Sequence, residues 1–295
     1  MSLADCTQEI ISLLKRREVL DAGAWPPRMA ERTPKSEYEE IRNMRNLVRC
    51  FLALFFACSI EAFAANTLPE RLVLEYTLTH GRMEAGEVTR KLYRQSSGNY
   101  VHTMWTRPTG FAKLLASAEW HEEGEFAVQR QEVRPLRFSE KRSGDKRAYD
   151  YRVTFNWQKS QLVFNTREPR PLPKNIQDQS SVLYALMLNP MNQPGERLLP
   201  VTNGKDVDTY KFIYAGRETL QTPFGKSETI IVRRVAPKQL DEEQQCRAQS
   251  KKPSDCPPDD FTYWLAPEKN FVAVKMQKRR KDETSTMVLR QMKGL

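Results

Sequence analysis

Between residues 147 and 157 the chain reads RAYDYRVTFNW, and no helix has that pattern. Tyr149, Tyr151, Val153, Phe155 and Trp157 take every second place, with Asp150, Arg152, Thr154 and Asn156 between them. A period of two puts the apolar set on one face of a strand, because successive side chains point to opposite sides. Leu72, Leu74, Tyr76 and Leu78 repeat the device earlier in the chain. Further strands are predicted at 88–94 and 100–106, as a hairpin around Ser96-Ser97-Gly98-Asn99, and at 126–130 and 162–166. Others follow at 197–202, 209–215, 218–222, 227–235, 261–265, 271–278 and 284–291. Gly81 and Gly86 bracket a predicted turn region, and Glu122-Glu123-Gly124 is read as a turn. Residues 110–116 stay open between strand and helix. Short connections between many strands point to a mainly β protein: an antiparallel meander forming a curved sheet or open barrel.

One segment changes period. Asp178 can cap a helix over about 178–188, placing Val182, Leu183, Leu186 and Met187 on one face, and Pro190 and Pro194 end it. This helix is expected to pack on the concave face of the sheet. Loosely packed, it would instead act as a lid over a ligand site.

Met44 to Ala64 reads MRNLVRCFLALFFACSIEAFA, the pattern of a secretory signal peptide. Arg45 and Arg49 precede the apolar run 50–60, and Ala62-Phe63-Ala64 supplies a small-x-small cleavage site, so the mature chain is expected to begin at Ala65. The run falls short of the roughly 20 apolar residues of a membrane span, and Glu61 closes it. No membrane span is predicted in the mature chain. A buried core helix would leave the cleavage site as a coincidence. Lipoprotein processing at Cys58 is the less favoured route, because Phe55 stands where leucine is usual. Residues 1–43 are read as a misassigned upstream leader, and residues 65–295 as a single exported domain in the periplasm.

The first 64 residues hold as many acids as bases, so the whole +10 charge falls on residues 65–295. A basic surface favours anionic partners. An exported protein rarely meets nucleic acid, so an envelope lipid or anionic glycan is the expected partner and nucleic acid is not. The plainer reading is that spread charge keeps a β protein soluble and its edges unpaired. Cys246 and Cys256 are the two cysteines of the mature chain. In an oxidising compartment they read as a disulfide that closes a polar loop and stabilises by about 3 kcal/mol.

Four stretches carry a family likeness: LPERLVLEYTLT with the following Gly86, RPLRFSEKR leading to FNW, IQDQSSVLYALML, and TPFGKSETIIVRR followed by YWLAPEKNFVAVKMQ. In this order, over nearly all of 68–292, the chain resembles the bacterial exported "domain of unknown function 3108" family. The resemblance implies export. It brings no activity, cofactor or catalytic residue.

Motifs that would mark an enzyme are missing. Phe224-Gly225-Lys226-Ser227 ends like a phosphate-binding loop, but Leu220 stands where that motif needs glycine. There is no Gly-x-Ser-x-Gly elbow. His80, His102 and His121 lack metal-ligand spacing, although three strands could converge on a metal with Glu119 or Glu122. Glu122-Glu123 and Asp259-Asp260 are read as solvated acids in turns. No cofactor and no catalytic residue is assigned. Tyr149, Tyr151, Phe155, Trp157, Leu183 and Met187 are the candidates for lining a ligand cavity, against the plainer reading that they are core.

The expected function is non-enzymatic binding of an amphipathic or anionic envelope ligand, a lipid or lipid-linked glycan. A structural or adaptor module docking on another envelope protein through a strand edge is the alternative, and a glycan or cell-wall hydrolase the third. N-terminal sequencing of protein recovered from the periplasm should start at Ala65. A start within residues 1–43 would overturn the export reading.

Overall fold

Side chains that alternate in the sequence alternate in space. In the computed structural model, which describes residues 66–110, 112–115, 117–249, 256, 260–280 and 283–294, Leu72, Leu74 and Tyr76 are buried while their neighbours are not. The predicted signal segment, the cleavage site at Ala64 and Ala65, and Cys58 lie outside the described residues. The strands of the first half are β1 (Arg71–His80), β2 (Met83–Arg94), β3 (Tyr100–Pro108), β4 (Glu119–Gln129), β5 (Glu132–Ser143), β6 (Tyr149–Asn156), β7 (Gln161–Phe164) and β8 (Arg170–Pro171). A short helix, α1 (Ala112–Leu115), joins β3 to β4. The second half holds β9 (Gln177–Asp178), α2 (Ser181–Leu188), β10 (Glu196–Thr202), β11 (Val207–Thr222) and β12 (Gly225–Val235). It ends with α3 (Pro237–Gln249), β13 (Phe261–Ala266), β14 (Val272–Arg280) and β15 (Glu283–Lys293).

All fifteen strands form one sheet, in the order β8-β7-β6-β5-β4-β3-β2-β1-β15-β14-β13-β12-β11-β10-β9. Every pairing is antiparallel except β9 with β10. The first and last strands of the sheet in sequence order, β1 and β15, pair with each other. The sheet curls until its outer strands face one another across a seam closed by side chains. Gln177 Nε2 donates to the Val133 carbonyl at 3.0 Å, Gln179 Nε2 donates to Glu140 at 2.7 Å, and Arg167 pairs with Asp206 at 2.8 Å. The turn after β10 sits against β6, where a Cβ on Gly204 would lie 3.2 Å from Tyr151 Cβ.

α2 fills the space so enclosed. Every residue of it except Ala185 is buried, so the helix has no solvent face. The expected stripe of Val182, Leu183, Leu186 and Met187 is there, and Ser181, Tyr184 and Leu188 are buried with it. Each large apolar side chain contributes roughly 1.5–3 kcal/mol by leaving water. A second, smaller cluster of Phe138, Val153, Phe155, Leu162, Phe164 and Ile176 lies under β5, β6 and β7.

Several local expectations need correction. Glu122-Glu123-Gly124 is not a turn but the middle of β4. Gly124 pairs with His102, and a Cβ there would collide with His102 Nε2, so the glycine makes room for a ring. Gly86 likewise lies within β2, against the Arg107 carbonyl. Residues 209–222 form part of one strand rather than two, because Gly216 at φ 111° absorbs a bulge beside Tyr214. The polar stretch holding Cys246 is the helix α3, tied near its end by the Cys246–Cys256 disulfide.

Replacing Gly124 by Ala should cost about 1–3 kcal/mol in urea denaturation, as overpacking does. In the His102→Ala background the same change should cost clearly less. Equal costs in both backgrounds would remove His102 as the reason for the glycine.

Candidate functional site

Strand register lines up a polar row across the inner face of the sheet. Arg90 faces Met104, Met104 faces Glu122, Glu122 faces Glu140, and Glu140 faces Tyr151, on five consecutive strands. The row beside it runs Leu92, His102, Gly124, Phe138 and Val153. The N-terminal end of α2 rests on these two rows. Its first amides need acceptors, since no earlier turn supplies them. Asp178 Oδ1 accepts from the Ser180 and Ser181 N–H groups at 2.9 and 2.7 Å, from two residues before the Ser180 N-cap position. Ser180 Oγ donates to Glu122 and accepts from Arg90 Nη1 at 3.2 Å. Tyr149 OH donates to Glu140, which also takes the Gln179 bond.

Burial sets the charge of this cluster. Asp178 is fully buried, and desolvation raises its pKa to about 7 against the bonds from Ser181 and Ser180. Glu140 rises to about 7, first by desolvation and then by the facing Glu122. Desolvation and the Arg90 charge push His102 down to about 3. His102 Nε2 lies 3.7 Å from Asp178 Oδ1, within ion-pair range. Both ring nitrogens and Asp178 Oδ2 nonetheless lack hydrogen-bond partners, and the low dielectric opposes charge on either group, which favours a neutral pair.

Ser180, His102 and Asp178 are the residue types of a hydrolytic triad. Their arrangement is different: the serine hydroxyl faces Glu122 and Arg90, and all three residues are about 1% exposed or less. The three histidines do not converge. His80 bonds Ser285 Oγ at 3.0 Å, and the His121 ring lies 4.2 Å from Trp105. Among the described residues no group of three or more His, Cys, Asp and Glu side chains could hold a metal ion. Asp260 is not a solvated acid: it is buried and bonds Arg233 Nε at 2.6 Å.

Beside the polar row lies a partly open cavity of about 130 Å³, walled by Leu78, Val88, Met104, Leu183, Met276 and Met287 and bordered by Arg90 and Glu122. Gln179, Arg234 and Phe261 border it and also border an outer chamber of about 350 Å³. Arg234 stands between Tyr210 and Phe261, its guanidinium carbon 4.7 and 5.0 Å from the ring centres. Lys278, Arg279 and Arg280 surround the outer chamber, with Asp208 and Asp260. Of these two, the outer chamber reaches the usual range of small-molecule sites, roughly 300–1,000 Å³, and the inner one does not.

The six residues expected near a ligand are spread through the fold. Leu183 is on the cavity wall, while Met187 packs in the main core and Phe155 in the second cluster. Tyr149 and Tyr151 stack at 4.5 Å beside the seam. Trp157 donates to the Pro135 carbonyl at 2.7 Å and borders a separate pocket. Arg90, Gln179 and Arg234 are not singled out as site residues by the sequence, and Glu122 is named for a site only as a companion of a histidine metal site. Arg90 and Glu122 stand in apolar alternations, Val88-x-Arg90-x-Leu92 and Glu122-x-Gly124-x-Phe126, and this was their signal.

The model of the family described as "Protein of unknown function (DUF3108)" matches residues 75–290. No curated protein matches the sequence. Among solved structures, the chain is similar to a β-barrel-like protein of domain of unknown function DUF1849 from Brucella abortus. The two are 12% identical with a TM-score of 0.51, over 78% of this chain and 100% of that one. This likeness concerns the fold alone. A protein from Parabacteroides distasonis ATCC 8503, provisionally described as a lipoprotein, is 10% identical over 77% of this chain and 96% of its own, with a TM-score of 0.28. At that score the pairing carries no argument. None of the helices among the described residues is long and apolar enough to cross a membrane.

The raised carboxyls give a pH signature. A carboxyl raised in the fold adds stability below its unfolded value near 4, and that stability is lost as pH rises through about 7. His102 acts oppositely, losing stability as pH falls from 6.5 towards 3. Asp178→Asn keeps one acceptor oxygen for the Ser180 and Ser181 amides and removes the titration. Between pH 5 and 7.5 wild-type stability should fall, and the variant should gain on it by about 1 kcal/mol per pH unit in paired urea titrations. Parallel pH curves would contradict the buried, protonated carboxyl.

Proposed function

The chain belongs to the DUF3108 family of proteins of unknown function, and from that premise we propose that it is an exported envelope protein that binds the apolar part of an anionic amphiphile inside its curved sheet. The observation that carries this reading is the pair of adjoining chambers at the N-terminal end of α2, which share Gln179, Arg234 and Phe261 as border residues. The inner one is apolar on its walls and too small for a whole lipid. The outer one is polar and carries Arg234, Lys278, Arg279 and Arg280 at its border. A chain end fits the first and an acidic head group the second. Apolar burial supplies affinity and the cations fix orientation. The signal-like segment 44–64 and the cysteine pair fit an oxidising compartment, the periplasm.

A catalytic role finds less support. The hydroxyl that most resembles a nucleophile, Ser180, is sealed and already bonded on both sides. The adaptor reading has one feature behind it: Leu198, 58% exposed, on β10, whose outer edge β9 covers only at Val201 and Thr202.

The test is native purification from a periplasmic extract, organic extraction and mass spectrometry of what elutes, with a dansyl-labelled fatty acid as the added probe. The protein should carry an anionic amphiphile and bind the probe. Leu183→Trp, which fills the inner chamber, and Arg234→Glu should each weaken probe binding at least about tenfold, or 1.4 kcal/mol. An empty protein that neither binds the probe nor changes its melting temperature with it would sink the proposal. Capture of an envelope protein by crosslinking at Leu198 instead would favour the adaptor.

A further inference from the structure

A second pocket lies at the other end of α2, within the seam, with a volume of about 750 Å³. Arg130, Arg134, Lys174 and Arg197 border it, and Glu132 is the one acid among its lining residues. None of these four cations forms an ion pair among the described residues, although many other cations of the sheet do. Two are held in place before any ligand arrives. Arg134 stacks on Trp157 with its guanidinium carbon 4.3 Å from the ring centre, and its Nη1 donates to Gln129 Oε1 at 2.6 Å. Trp157 is itself fixed by its bond to the Pro135 carbonyl. Arg197 Nη1 donates to the Asn189 carbonyl at the C-terminal end of α2, at 3.3 Å. That contact with the negative end of a helix accounts for Arg197 and the stacking on Trp157 for Arg134, which leaves Arg130 and Lys174 with no such contact among the described residues.

The backbone around the pocket points the same way. The two-residue connection from β4 to β5 is Arg130-Gln131, with both residues at left-handed φ, 51° and 66°. Such turns favour Asn-Gly, and each ordinary side chain there costs about 1 kcal/mol or more. Arg130 and Gln131 stand where a cheaper pair exists. Arg130 reaches the pocket border from this turn, and the Gln131 carbonyl accepts from Asn189 Nδ2.

We propose that this seam pocket binds a phosphoryl group, with Arg134 and Arg197 as the preorganised fork and Arg130 and Lys174 as further charge. Four cations against one carboxylate suit a dianion better than the single charge of a carboxylate, and guanidinium groups match phosphate oxygens in pairs. A phosphorylated soluble compound and a phospholipid head group share this chemistry. The site does not depend on the inner chamber, so it stands or falls separately from the amphiphile reading.

Calorimetry with inorganic pyrophosphate at low salt should show binding to the intact protein. Arg134→Gln/Arg197→Gln should weaken it at least about tenfold. Lys146→Gln/Arg147→Gln, which removes two exposed cations from the β5–β6 loop, should leave it unchanged. Lys174→Glu, at an exposed position, should weaken binding even if the double variant fails to fold. Flotation with phosphatidylcholine vesicles, with and without phosphatidic acid, separates the sources: phosphatidate-dependent flotation lost in the variants assigns a lipid head group, and pyrophosphate binding without flotation assigns a soluble phosphate. No pyrophosphate binding, or equal losses in the loop control and the pocket variants, would overturn the proposal.

Discussion

The N-terminal end of α2 is a set of unpaired amides inside a protein, and the rest of the interior is arranged around that fact. Buried N–H groups without acceptors cost about 1–3 kcal/mol each. Asp178 accepts two of them, and Glu122 and Glu140 take the hydroxyl of Ser180 and the amide of Gln179. Three carboxyls so close together would repel one another if all were ionised. Burial answers this by keeping Asp178 and Glu140 protonated up to about pH 7, while Arg90 reaches Ser180 on its other side. Gly124 is part of the same solution, because only a missing side chain lets His102 lie across β4 next to Asp178.

From this latch follow both pockets. A helix fixed at its N-terminal end inside an open, curved sheet leaves space beside that end, where the sheet carries methionines and leucines, and at its far end, where the seam opens. The first space is apolar with a charged mouth, and the second is bordered by four cations that form no ion pair among the described residues. The seam needs the latch as well: Gln177 and Gln179, on either side of Asp178, bond β5 across the gap.

Much of the fold was legible in the sequence because burial on one face writes a period of two. β1, β6, β12 and β14 stand where the alternation put them, and the helix stands where the period changed. What misled were glycines. Gly124 and Gly216 look like punctuation, but one makes room for a ring and the other absorbs a bulge. The candidate site was far less legible. Glu122 and Arg90 become neighbours only through strand register, which is not written in local sequence. Trp157 was singled out as a ligand residue; it borders the seam pocket while also holding Arg134, a role visible only once β5 lies beside β6.

The central claim is that α2 is a fixed part of the interior and not a lid. Native-state hydrogen exchange at Leu183, Tyr184 and Leu186 reads this directly. These amides should exchange only through global unfolding, at the rate of buried β1 and β14 amides such as Tyr76 and Val274. Exchange by a separate, lower-energy opening while those strands stay protected would contradict the account and return α2 to the role of a mobile cover.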